Sequence, residues 1–158
     1  MAETRYGIRV DEHSLHTDGA GAGEYRGGSG AVRVYRSMNE NQTFTASFGR
    51  NKWPVWGAAG GKDGSVNYFQ FIDADGTVSE PMGIAARRVM NTNDVVRMVT
   101  ATGGGYGNPF KRPAEKVAMD VKNEYITVEQ AKADYGVLVD PETFKVLGLT
   151  EERQKAEK

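Results

Sequence analysis

A chain of 158 residues is long enough for one domain around a single core, and its 20 basic and 21 acidic side chains leave a net charge of −1. Neither sign is gathered into a long block, so neither a nucleic acid nor an anionic membrane surface has an electrostatic hold on it. The absence of cysteine excludes a disulfide framework, a thiolate zinc site and a cysteine nucleophile, and no apolar run approaches the ~18 residues of a membrane helix.

Read from the start, Met1-Ala2-Glu3-Thr4-Arg5 lacks the apolar core of a secretion signal and reads as a genuine start, which together with the missing cysteines points to the cytoplasm. Short runs of period-two alternation then predict half-buried strands over 6–10, 31–35, 43–48 and 66–72. Asp75-Gly76 predicts a hairpin turn into 77–79, and Asn91-Thr92-Asn93-Asp94 separates two more β-prone runs at 84–90 and 95–99. After Pro109 the period changes. Ala114, Val117, Ala118 and Val121 share one helical face, and a second helix is predicted from a capping box at Thr127-Val128-Glu129-Gln130 to a stop at Gly136. The expected fold class is α+β: mainly antiparallel β with glycine-rich turns, then two short C-terminal α-helices. A single domain over 1–148 is expected, with a charged, frayed tail at 149–158.

Glycine appears 20 times, nearly twice its usual ~7 % share, in clusters at 19–30, 57–64 and 103–107. Three in a row at Gly103-Gly104-Gly105, followed by Tyr106, answer a steric demand. That demand is either a tight strand-to-helix connection or a backbone surface that packs on a partner or lines a site.

Reaction chemistry finds little support. His13 and His16 have a spacing that would join them on a helix, but a strand puts the two rings on opposite faces, which argues against a metal pair. Gly61-Lys62 is followed by Asp63 instead of Ser or Thr, so no phosphate-binding loop is present, and the glycines at 19–30 do not meet the dinucleotide register. With two histidines and no cysteine, no nucleophilic triad can be assembled. No catalytic, cofactor-binding or metal-binding residue is assigned. Trp53-Pro54-Val55-Trp56 places two indoles at one spot, as core plugs or as a contact patch, and the two need not share a role. Trp53, Trp56, Gly103, Gly104, Gly105 and Tyr106 are therefore the candidates for partner contact or pocket shaping.

Four segments in order carry a family resemblance: Asp18 with Ala22-Gly23-Glu24-Tyr25-Arg26-Gly27-Gly28; Trp56-Gly57 with Gly60-Gly61-Lys62; Asp94-Val95-Val96-Arg97; and Gly103-Gly104-Gly105-Tyr106-Gly107-Asn108-Pro109. Ala133-Asp134-Tyr135-Gly136-Val137 continues it. The chain resembles the C-terminal part of the hydantoinase B family, shared by ATP-dependent hydantoinases, oxoprolinases and the acetone and acetophenone carboxylases. It departs from the family pattern at Gly19, Ala20, Ala101 and Asn108. The resemblance implies a small, non-catalytic structural subunit of the acetophenone carboxylase type, split from a larger whole. Its implied partners are hydantoinase-B-like and hydantoinase-A-like subunits, which carry ATP and a divalent metal. An accessory chain of an ATP-dependent hydantoinase or oxoprolinase is the alternative reaction. From a different class comes an independent β-rich module that binds a small ligand on Trp53, Trp56 and Tyr106.

Overall fold

The computed structural model describes residues 2–156. Their backbone is α+β and mainly β, with antiparallel sheets and helices concentrated toward the C-terminus. The chain divides into two compact units that share the sequence in alternation. The first comprises 1–16, 30–54 and 66–101, and the second comprises 17–29, 55–65 and 102–158.

In the first unit a short helix α1 (Ala2–Tyr6) leads into β1 (Ile8–His16), which pairs with β2 (Gly30–Ser37). With β4 (Tyr68–Ile72) and β6 (Val95–Val99) they form an antiparallel sheet in the order β1-β2-β6-β4, and β3 (Gln42–Ser47) pairs with β5 (Ile84–Met90). Alternation puts Phe69 and Phe71 on one face, opposite Met98 and Val96 of β6. Phe44 of β3 meets both phenylalanines edge-on at 5.7 and 5.5 Å between ring centres, and Met90 closes the same core. Asp75 and Gly76 make the expected turn, with Gly76 at φ +90° and the Asp75 carboxylate accepting from the Thr77 amide at 2.9 Å. The strand expected at 77–79 reduces to a bridge between Val78 and Ile72.

β1 runs six residues beyond the stretch the alternation marked. It is an edge strand, exposed along nearly all its length, so burial imposes no apolar periodicity on the part beyond Val10. A bulge between Val10 and Glu12 shifts its register. His13 and His16 both lie on it, three positions apart, and His16 Nδ1 stands 3.0 Å from the Thr100 carbonyl.

The second unit carries three glycine-rich segments and the C-terminal elements. A 3₁₀ turn (Pro109–Lys111) precedes α2 (Ala114–Lys122) and α3 (Val128–Tyr135). The Thr127 hydroxyl accepts from the Gln130 amide at 3.1 Å while the Gln130 side chain accepts from Thr127, and Gly136 ends α3 in the left-handed region at φ +63°. Val117, Ala118 and Val121 pack with Ile126, Ala131, Tyr135, Val137 and Val139. The stretch after Gly136 is not empty: β7 (Val137–Val139) and β8 (Val146–Leu149) form a hairpin whose turn is held by the Asp140 carboxylate, accepting from the amides of Glu142 and Thr143 at 2.9 and 2.7 Å.

The terminal segment expected to fray forms α4 (Glu151–Ala156). Its anchor is Arg153, 4 % exposed, which donates to the carbonyls of Tyr135 and Arg112 at 3.0 and 2.8 Å. A charged composition conceals such an anchor, because an arginine that satisfies buried carbonyls is indistinguishable in sequence from a solvated one.

Candidate functional site

The three glycine segments explain one another. Gly21 donates to the Gly103 carbonyl at 2.9 Å, Lys62 to Ala22 at 2.7 Å, Gly105 to Lys62 at 2.9 Å and Ala58 to Gly105 at 2.9 Å, so each segment is hydrogen-bonded to the other two. Backbone packs directly on backbone. A methyl group added at Gly27 would collide with the Gly103 carbonyl, and one at Gly105 with the Ala22 carbonyl. Glycine is needed here for close approach, since no rotamer change can move a main-chain oxygen out of the way.

On the surface of this seam stand aromatic side chains. Tyr25 and Tyr106 exchange both backbone hydrogen bonds, at 3.0 and 2.9 Å, and their rings lie 6.2 Å apart at an interplanar angle of 54°. Both are well exposed, at 63 and 57 %. Trp56, 69 % exposed, leaves the neighbouring segment two positions before Ala58, which bridges Tyr106.

Beneath Tyr25 the polar interior is built around one carboxylate. Asp120 of α2 accepts from Arg112 Nε and Nη2 at 3.1 and 2.8 Å, and Arg26 Nε stands 3.5 Å from the same oxygen. The Arg26 guanidinium also lies 4.7 Å over the Tyr125 ring, while Arg112 donates to the Glu24 carbonyl at 3.0 Å. These side chains are nearly buried, and a carboxylate bridging two guanidiniums is what makes that burial tolerable. The Tyr135 hydroxyl faces the Gly23 backbone beside this group without a hydrogen bond of normal geometry. Burial is the main reason its pKa is raised, with the negative charge of Asp120 adding to that against the opposing pull of Arg112 and Arg26.

Two further motif residues have defined partners. Lys62 Nζ pairs with Asp134 at 2.5 Å, joining the glycine segment to α3. Asn108 caps the 3₁₀ turn: its side-chain oxygen accepts from the Phe110 amide at 2.9 Å, with Pro109 in the first turn. That task asks only for an oxygen acceptor, which asparagine and aspartate both offer.

The candidates from sequence therefore separate. Gly103, Gly104, Gly105, Trp56 and Tyr106 belong to the second unit; Trp53 belongs to the first and is 80 % exposed. Neither tryptophan is a core plug. Sequence reasoning did not single out Tyr25 or the Arg26–Asp120–Arg112 group, whose members are up to 94 positions apart and carry no local spacing signal. Among the described residues no cluster of three or more His, Cys, Asp or Glu side chains is arranged to hold a metal, and no helix is long and apolar enough to cross a membrane.

The fold and the seam define an α+β module in which glycine-rich backbone packs directly on backbone beside two side-chain cores. The chain belongs to the hydantoinase B/oxoprolinase family, whose profile matches residues 1–109. It is 31 % identical over 87 % of its length to the putative B component of a D-/L-hydantoinase from Pseudomonas sp., and 30 % identical over 89 % to the beta chain of the caprolactamase from Pseudomonas jessenii. Those matches span 23 and 25 % of the relatives, so the chain corresponds to about a quarter of their length. The crystal structure of the ATP-dependent caprolactamase superposes on 98 % of the chain with a TM-score of 0.74 at 29 % identity, using 26 % of that chain. Nucleotide-free acetone carboxylase shares the fold, with a TM-score of 0.71 over 95 % of this chain at 17 % identity.

Proposed function

We propose that this chain is the assembly module of an ATP-dependent enzyme of the hydantoinase and lactamase type, acting on a cyclic amide in the cytoplasm. It contributes structure and the shape of a pocket wall, and the reacting groups come from the hydantoinase-B-like and hydantoinase-A-like portions of the enzyme, which bind ATP and a divalent cation. One observation supports the amide branch over the ketone branch. In structural superposition the identity is 29 % with the caprolactamase and 17 % with acetone carboxylase, where the likeness is one of fold. The acetophenone carboxylase reading, which the sequence resemblance put first, rests on missing cysteines and small size, and neither bears on which bond is broken.

The seam fits a module that shapes and assembles. Three backbone segments each hydrogen-bonded to the other two hold one another in place, and elements so fixed are what position a site or an interface. The test is substrate-dependent ATP hydrolysis by the enzyme purified from its source through an affinity tag on this chain. Caprolactam or hydantoin should stimulate phosphate release and yield a ring-opened product. Stimulation by acetophenone with incorporation of labelled bicarbonate, and by neither cyclic amide, would overturn the amide reading in favour of ketone carboxylation.

A further inference from the structure

We infer that Tyr25, Trp56 and Tyr106 form the anchor of an interface occupied by the remaining part of the hydantoinase-B architecture, whether that part lies on the same polypeptide or on another. The inference rests on the assembly reading and adds the surface and its occupant. Three aromatic side chains emerge from the three glycine segments, each more than half exposed. Tyr and Trp so displayed are the residue types that dominate binding energy at interfaces, because they bury large area, lose little conformational entropy and keep a hydrogen-bonding tip.

What distinguishes this patch from scattered exposed apolar residues is the ground it stands on. Tyr25 and Tyr106 are locked to each other through paired backbone hydrogen bonds, and their ring contact follows from that register. The residues flanking Tyr25 are held from below, Glu24 through its carbonyl by Arg112 and Arg26 through Asp120. Such a surface is already in its bound shape, so little ordering is left to oppose association. The occupant is argued from length: the relatives are about four times as long as this chain, and the solved caprolactamase chain carries the same fold as about a quarter of a single polypeptide. Its contact region should be apolar with acceptors placed for two phenolic hydroxyls.

Hydroxyl-radical footprinting, read by mass spectrometry at each residue, tests this in the free chain and in the enzyme purified through a tag on it. Oxidation of Tyr25, Trp56 and Tyr106 should fall severalfold in the assembly. Y25S and Y106S should each weaken association by about tenfold or more while leaving the melting temperature of the chain in place. The inference is overturned, with the assembly reading intact, if the assembly contains an identified hydantoinase-B-type polypeptide yet the three side chains stay as reactive as in the free chain. A tagged protein that purifies from its source with no hydantoinase-B-type sequence, on its own polypeptide or on another, overturns both.

Discussion

The two units of this molecule solve the packing problem in opposite ways. The first fills its core with side chains: Phe44, Phe69 and Phe71 interlock edge-on above Val96 and Met90. The second joins its glycine segments main chain to main chain, and adds a conventional helical core around Val117 and Tyr135. Side chains can shift rotamers to absorb a change in volume, whereas two peptide backbones in contact cannot. The second unit should therefore be far less tolerant of single methyl groups than the first is of whole side-chain replacements.

The largest expected effect probes that contrast directly. Gly27→Ala places its methyl on the Gly103 carbonyl, and we expect a cost of about 4 kcal/mol or more, read as a lowered midpoint in chemical denaturation. Gly28→Ala is the control, since nothing lies within 4 Å of its added methyl, and it should cost less than about 1 kcal/mol. Phe69→Leu in the first unit should cost about 1–2 kcal/mol despite altering a fully buried ring. Equal losses for Gly27→Ala and Gly28→Ala would break the comparison.

Next in size is the buried carboxylate. Asp120→Ala strands Arg26 and Arg112 in a nearly dry interior, with an expected loss of about 3 kcal/mol, at the lower end for a broken buried pair because some solvent still reaches the group. Thermal unfolding of Asp120→Ala beside Asp120→Asn sharpens the point. The asparagine keeps an acceptor for Arg112 but removes the charge, so its loss should be the smaller of the two.

These two predictions mark what could be read from the residues alone and what could not. Glycine clusters announced a steric demand, but not that 19–28, 57–64 and 103–107 meet one another, because glycine has no side chain whose chemistry could declare a partner. The capping box at Thr127 and Gln130 and the αL stop at Gly136 were legible because they are local, resting on hydrogen bonds between near neighbours. Edge strand β1 was half hidden, since exposure on both faces erases alternation. The Arg26, Asp120 and Arg112 group was invisible, being defined by distance in space between residues far apart in the chain. At the surface, the indoles of Trp53 and Trp56 looked like a pair in sequence, yet the fold assigns them to different units and sets Tyr25 beside Tyr106 instead.

The smallest effect expected is a pH dependence confined to the second unit. Tyr135 has its pKa raised above the ordinary 10.0, chiefly by burial, so the folded state holds the phenol proton more tightly than the unfolded chain does. The stability this group contributes is complete below about pH 10, where the phenol is neutral in both states, and it is lost as pH rises through the folded value. Denaturation of the wild-type chain between pH 8 and pH 11 should show that loss, and Tyr135→Phe should remove this component of it. The same variant carries a second discriminating readout at neutral pH. The Tyr135 hydroxyl is buried without a normal hydrogen bond among the described residues, so deleting it removes an unpaired polar group and should leave stability equal or slightly higher. A clear loss at pH 7 would mean that the hydroxyl bonds to the Gly23 backbone after all, and that the seam and the helical core are tied together by a side chain as well as by packing.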